Sequence, residues 1–383
     1  MNPAEIKKDT GTLEMLPMAP AGEPCCPSSQ PELLNLPSLD QPFVVGEVDT
    51  PIGRVPQVSS ALQGRDRWGS YRVRWGIRRM QYTVEPGLYA LGRPDPSAPV
   101  LVTANYKMTF DRLREALPGR DAWVLVLDTK GVNVWCAAGK GTFGTEELIA
   151  RIRVSGLEQV VSHHDLILPQ LGAPGIAAHL VKKLSGFRVI YGPIRASDLP
   201  AFLDAGLQAT PEMRRKTFPF KERAVLVPIE LVAAFKVAVW VLPVVFIVGG
   251  LKGVEGFWIN AQNHGLFAAM ALLLAIFIGG VFTPLLLPFL PGRAFALKGF
   301  FLSLPAAIIY IYLWGPTRVG PLEKWAWALL IPAVSAYLAM NFTGASTYTS
   351  LSGVKKEMRW AVPFEIAGAG AGLMLWLGAL FLF

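Results

Sequence analysis

The sequence predicts an α/β domain on a parallel sheet, followed by a domain of five membrane-spanning helices. Three observations carry this reading. Short apolar runs alternate with amphipathic stretches between Val100 and Gln208, the pattern of strand–helix–strand architecture. Five apolar segments follow, approximately Leu226–Gly250, Gly265–Leu290, Leu297–Trp314, Leu322–Met340 and Ala361–Phe383. A helix needs roughly 20 apolar residues to cross the hydrocarbon core, and runs of this length would leave a soluble protein too little polar surface. Finally, 52% of the 383 residues are hydrophobic, above the usual soluble range.

Within the α/β region the strands are expected at Val100–Ala104, Trp123–Asp128, Val132–Trp135, Asp165–Pro169 and Arg188–Tyr191, and the helices at Phe110–Leu117, Thr145–Val154, Ile176–Leu184 and Ser197–Ala205. This reads as a Rossmann-like parallel sheet. Such sheets bind ligands outside the carboxyl ends of their strands, so the loops Asn105–Lys107, Thr129–Gly131, Cys136–Gly144, Gln170–Gly175 and Gly192–Arg195 are the candidate site. The division is residues 1–41 as a flexible tail rich in Pro and Ser, 42–97 as a lead-in packing on the next domain, 98–210 as the α/β domain, 211–225 as a basic linker, and 226–383 as the transmembrane domain. Residues 1–30 lack the apolar core of a secretory signal. Pro243, Pro284, Pro288, Pro305 and Pro332 would kink the spans, which membrane bundles tolerate.

Lys and Arg exceed Asp and Glu by 36 to 28. Many of these cations flank apolar runs, and no aromatic and basic module pattern accompanies them, so a bilayer explains the excess and nucleic acid does not. Arg214, Arg215, Lys216, Lys221 and Arg223 precede the first span, which places that end in the cytoplasm by the positive-inside rule. Arg293 with Lys298, and Lys355 and Lys356 with Arg359, then fall on the same side. The expected setting is a multi-pass protein of the cytoplasmic (inner) membrane with its C-terminus outside. Glu230, Lys236, Glu255 and Glu365, in or near the spans, are candidate functional charges.

Three cysteines, Cys25, Cys26 and Cys136, exclude a disulfide framework and a four-thiolate cluster. Cys136 is the informative one. It lies in Asn133-Val134-Trp135-Cys136-Ala137-Ala138-Gly139-Lys140, followed by Gly141-Thr142-Phe143-Gly144. A cysteine leaving a strand into a small-residue turn before a helix meets backbone N–H groups and a positive helix end, which favour the thiolate that binds metal or attacks. The alanines and glycines leave room for a large flat group. A buried structural cysteine is the alternative reading. Gly139-Lys140-Gly141-Thr142-Phe143-Gly144 also matches the dinucleotide fingerprint G-x-G-x-x-G, although the acidic residue expected about 20 positions on, Asp165, begins a strand instead of ending one. A Cys–His enzyme would draw its base from His163, His164 or His179. The neighbouring thiols Cys25 and Cys26 are a candidate capture pair for a soft metal ion, with an incidental tail pair as the alternative.

The octet Asn133–Lys140 resembles, position by position, the cap-helix signature of the corrinoid subunit of the anaerobic mercury-methylating pair. Supporting stretches are Thr103–Lys107, Leu127–Gly131, Leu168–Gly175, Thr210–Arg215 and Phe342–Ser346, and the resemblance runs from about Pro51 to the end. It implies a cobalamin-type corrinoid over the strand ends, with Cys136 thiolate as the lower cobalt ligand. The residues implied around it are Thr103, Asn105, Asn133, Val134, Trp135, Ala137, Ala138, Gly139, Lys140, Gly141, Thr142, Gly172 and Gly192. Asn133 and Trp135 would brace the loop, and Ala137, Ala138 and Gly139 would admit the ring. The implied enzyme is a corrinoid-dependent methyltransferase moving a methyl group from methylcobalt to mercury(II), where a donating thiolate eases transfer as carbanion or radical. The implied partners are a ferredoxin-like protein with two iron–sulfur clusters as reductant and a methyltetrahydrofolate-linked methyl donor. The family is similar to the corrinoid iron–sulfur protein of the acetyl-CoA pathway in its cofactor domain, so a methyl carrier of one-carbon metabolism is the second reading. A transporter or assembly protein with a ligand-sensing soluble domain is the third.

Overall fold

The computed structural model describes residues 34–252, 255–314, 319–344 and 351–381. Cys25, Cys26 and the Ala345-Ser346 part of the supporting stretch lie outside them.

Residues 44–204 form a seven-stranded mixed sheet with helices against it. The strands are β1 (Val44–Thr50), β2 (Gly53–Val58), β3 (Gly87–Leu91), β4 (Val100–Ala104), β5 (Ala122–Leu127), β6 (Asp165–Leu168) and β7 (Arg188–Tyr191), in the order β1-β2-β3-β5-β4-β6-β7. Every residue of β3, β4 and β5 is buried, as continuous apolar runs covered on both faces require. One face packs Val100, Val102, Leu125, Leu166 and Leu168 with Leu148 and Val181, and the other packs Leu101, Val124, Val126 and Ile167 with Phe110 and Phe202.

The β4, β5, β6 and β7 pairings are parallel as expected, but the sheet as a whole is not. β3 runs antiparallel to β5, and β1 and β2 form a hairpin. The expected lead-in therefore supplies three strands and a helix, α1 (Gly64–Arg74).

The expected strand Val132–Trp135 is absent. Asn133 is instead the N-cap of helix α3 (Val134–Lys140), and its side-chain oxygen accepts a hydrogen bond from the Cys136 N–H at 2.9 Å. The remaining helices are α2 (Lys107–Glu115), α4 (Thr145–Val154), α5 (Leu157–Val160), α6 (Ala178–Ser185) and α7 (Leu199–Asp204). Residues 170–175 make a 3-10 turn ahead of α6.

Five helices are long and apolar enough to cross a membrane: Phe220–Gly250, Phe257–Leu286, Phe295–Trp314, Pro321–Gly344 and Ser352–Phe381. Small residues bring them close together. A Cβ on Gly249 would lie 2.4 Å from the Gly265 nitrogen, and one on Gly279 would lie 2.5 Å from the Ser335 carbonyl oxygen, the close approach typical of membrane helix pairs. In the second span the Ala261–Gly265 and Ile278–Phe282 turns are π-helical.

Candidate functional site at the strand ends

The chain runs from β4 to its neighbour β5 and then crosses back to β6 on the other side of β4. The carboxyl ends of β4 and β6 thus flank a reversal of strand order, the place where open sheets leave a crevice for ligands. A cavity of about 430 Å³ opens there, within the range of small-molecule and cofactor sites. Its floor is Leu101–Thr103 of β4, Ile167 and Leu168 of β6 and the following Pro169, and Gly192 follows β7. Asn133 and Val134 close it from the start of α3, Arg74 from the end of α1, Arg79 from the segment after it, and Val225, Leu226 and Ile229 from the first apolar span.

Cys136 sits in the first turn of α3, part-exposed, three residues after its cap. Burial pushes its thiol above the ordinary range, while the Lys140 ammonium, the Arg79 guanidinium and a hydrogen bond with Asn133 pull it down. The expectation of a lowered thiol is therefore not met, because desolvation of the half-buried sulfur outweighs two nearby cations.

Of the other expected residues, Thr103, Asn133, Val134 and Gly192 come together on the cavity wall. Asn105 is buried and fully occupied elsewhere. Its Oδ1 accepts hydrogen bonds from the Thr129 and Gly131 N–H groups at 3.1 and 3.0 Å and from the Thr129 hydroxyl at 2.8 Å, and its Nδ2 donates to Asp128. It thereby fixes the loop that delivers α3.

Ala137 and Ala138 are buried against the domain core, and a Cβ on Gly175 would lie 3.1 Å from the Ala138 Cα. Their small size thus serves helix packing here, not the admission of a ring. Gly172 is likewise closed off by Phe143, whose ring atom would lie 2.5 Å from an added Cβ. Gly139, Lys140 and Gly141 are exposed at the far end of α3, where Gly141 takes the left-handed C-cap conformation at φ 82°, and Thr142 bonds back to the Ala137 carbonyl. The G-x-G-x-x-G run consequently begins in the last residues of a helix and does not follow a strand, which removes the context a dinucleotide fingerprint needs.

His163 and His164 precede β6, at the opposite ends of the strands from the cavity. His163 Nε2 contacts the Ala98 carbonyl oxygen at 2.9 Å, and the His164 ring packs on Phe187. His179 is exposed on α6. No described residues form a group of three or more His, Cys, Asp or Glu able to hold a metal ion. A bare ion held by protein alone needs about four donors. A single part-exposed sulfur, two residues on from Val134 of the cavity wall, is compatible instead with a metal carried in its own macrocycle, which needs only one ligand from the chain.

Tyr106, inside the expected loop Asn105–Lys107, is on the cavity wall, and so is Arg79, which was not legible in the sequence. Nor was the buried quartet behind it. Lys107 Nζ lies 2.7 Å from Asp66 and 2.8 Å from Asp111, and Arg114 bridges the same two carboxylates at 2.8 and 2.9 Å. Among the expected membrane charges, Glu365 is buried and Lys236 exposed, and the structure adds a buried contact between His264 Nδ1 and Glu323 at 2.7 Å.

An α/β domain with a cavity at a strand-order reversal, one free cysteine in the neighbouring helix, and five apolar helices after it describe the class structurally. Residues 78–203 match the family model of the CO dehydrogenase/acetyl-CoA synthase delta subunit. The chain is 36% identical to the acetyl-CoA decarbonylase/synthase complex subunit gamma of Methanopyrus kandleri over 123 residues, 32% of this chain and 26% of that protein. It is 31% identical to the corrinoid/iron-sulfur protein large subunit of Moorella thermoacetica over 126 residues, 32% of this chain and 28% of that one. The chain thus spans about a quarter of these relatives' length. The matched part of the α/β domain is related to corrinoid proteins of the acetyl-CoA synthase type.

Proposed function

We propose that this chain is a membrane-held corrinoid protein that carries and hands on a methyl group, with the Cys136 thiolate as lower axial ligand. The carrying observation is the half-buried sulfur in the first turn of α3, beside an apolar cavity where the strand order reverses. When bound, the corrinoid supplies a cobalt centre that holds the methyl group.

The chain's own residues bind and orient. Asn133 caps α3 and so sets the height of Cys136. Asn105 holds the preceding loop through its Oδ1. Thr103, Val134 and Gly192 form the apolar floor and wall, Trp135 stands beside the sulfur in sequence, and Arg79 and Lys140 offset the charge of the thiolate. Ala138 packs against Gly175 and Phe143 against Gly172, and the left-handed Gly141 with the Thr142 N–H bonded to the Ala137 carbonyl ends α3 after two turns.

Two methyl acceptors follow from two observations. The related proteins favour a carrier in one-carbon metabolism, because their names place them in acetyl-CoA decarbonylase/synthase and corrinoid assemblies. The octet Asn133–Lys140 favours mercury(II), with the reaction forming methylmercury. In either case the electrons come from a ferredoxin-like partner with two iron–sulfur clusters, since the sequence has only three cysteines. The methyl group comes from a methyltetrahydrofolate-linked donor. The α/β domain faces the cytoplasm and the C-terminus lies outside.

Anaerobically purified protein is expected to carry a visible cobalt spectrum that changes in Cys136→Ala. An unchanged spectrum would remove the thiolate ligand from the account, and a colourless protein that takes up no added corrinoid would leave the transporter or sensor reading. Protein loaded with methylated corrinoid and given mercury(II), with reduced ferredoxin and a methyl donor for further turnovers, should yield methylmercury. Full cofactor loading without that product would assign the chain to one-carbon transfer.

A further inference from the structure

The segment 64–80 carries an unusual surface. Trp68, Tyr71 and Trp75 fall at helical spacings of three and four, on one stripe of α1 and its C-cap. They are 66%, 58% and 51% exposed, and Ile77 and Met80 continue the patch at 49% and 61%. The opposite stripe is pinned down: Asp66 and Val73 are buried, and Asp66 is locked to Lys107 and Arg114. Arg65, Arg67 and Arg78 are exposed around the patch. Five large apolar side chains held outward by a rigid anchor exceed the scattered exposure that soluble surfaces show.

What covers the patch follows from its neighbour. Beside it, a Cβ on Gly76 would lie 3.9 Å from Val232 Cγ1, on the first apolar span. From Val232 to Gly250 that helix covers roughly 27 Å at the helical rise, close to the hydrocarbon thickness of about 30 Å. Val232 therefore marks the edge of the hydrocarbon, and the patch next to it meets the headgroup layer. Trp and Tyr concentrate at that level in membrane proteins. The residues just before the span include exposed Arg214, Arg215 and Lys221, the same sign of charge.

We propose that residues 64–80 form a membrane-interface module, with Trp68, Tyr71, Trp75, Ile77 and Met80 among the upper acyl chains and Arg65, Arg67 and Arg78 against anionic headgroups. Because Arg74 and Arg79 of this segment line the strand-end cavity, the module holds that cavity at the bilayer surface.

The test is photo-crosslinking of the full chain in lipid nanodiscs, with a headgroup-level diazirine phospholipid and peptide mapping. Discs of phosphatidylcholine alone are compared with discs containing phosphatidylglycerol. Adducts on 64–80 are expected in both, and more with phosphatidylglycerol. In Arg65→Gln/Arg67→Gln/Arg78→Gln the gain from the anionic lipid should shrink by about fivefold or more, since each surface cation is worth about 1 kcal/mol near anionic lipid. Adducts of a second, acyl-chain diazirine phospholipid on the first span around Trp240, 77% exposed, report correct insertion. Labelling near Trp240 with none on 64–80 would overturn the proposal. So would protection of 64–80 from hydroxyl-radical footprinting only when an acidic ferredoxin-like protein is added, which would make the patch a protein-docking face. Neither readout needs a bound corrinoid, so failure here leaves the cofactor assignment untouched.

Discussion

Asn133 does more for the site than any residue apart from the cysteine itself. Its Oδ1 takes the Cys136 N–H, one of the donors a helix start leaves unsatisfied, and so fixes the backbone that carries the sulfur. Asn133→Ala should cost about 1 kcal/mol of stability, and the more telling loss is positional, a broadened cobalt signal in electron paramagnetic resonance of the loaded protein. Asn133→Asp and Asn133→Ser should restore both, and equal signals in all three variants would remove the cap from the mechanism. This was the signal misread at the sequence level. Val132, Val134 and Trp135 are good strand residues, yet an Asn followed by helix-compatible residues marks a helix start, and that rule prevailed. Cys136 was legible from residue type and setting, but the direction of its thiol shift was not, because desolvation depends on packing. Arg79 was invisible for a related reason: only the fold brings it, 57 positions away in sequence, beside the sulfur.

The element scale is governed by the quartet Asp66, Lys107, Asp111 and Arg114, which ties α1 to α2 through side chains at most 10% exposed. Arg114 also donates to the Ser59 carbonyl at 2.7 Å, so the β2–α1 connection hangs on the same knot. Removing one partner strands buried charge, and Lys107→Met should cost about 3–5 kcal/mol, measured by chemical unfolding. A loss under 1 kcal/mol would mean that the quartet is solvated. Burial alone would raise the Asp66 carboxyl, but Lys107, the Gln63 N–H and Arg114 hold it below the usual 3.8. A carboxyl depressed in the folded state stabilises above its unfolded pKa, and that contribution is lost as pH falls through the folded value. The stability gap between wild type and Asp66→Asn should therefore narrow on acidification below about pH 4, and a gap independent of pH would contradict the assignment. The sequence hid this assembly. Lys107 stood inside a recognisable stretch, but Asp66 lay in a segment with no clear period, and β3 is only five residues long.

Across the whole molecule, the long apolar runs were the most legible feature, since their length alone excludes a soluble core. The sheet order was not legible, because register among equally apolar strands is decided by their three-dimensional neighbours. The consequence least visible beforehand is that the first apolar helix helps to build the candidate cavity: Val225, Leu226 and Ile229 wall the same space as Thr103 and Asn133. The anchor is then not a passive tether. Leu226→Ser/Ile229→Ser in the full chain should weaken corrinoid binding by about tenfold or more, because even a part of the roughly 1.5–3 kcal/mol that full burial of each aliphatic side chain would contribute, summed over two half-buried residues, exceeds the 1.4 kcal/mol that makes a factor of ten. Equilibrium titration of the detergent-solubilised protein measures this, with Leu329→Ser, on a 40% exposed position of the fourth span, as the control. If the double variant binds as tightly as wild type while Thr103→Phe abolishes binding, the ligand sits on the strand ends without touching the span. Weakening in the double variant but not in the control requires that the membrane helix and the α/β domain build one site between them, so that any movement of the first span is felt at the sulfur.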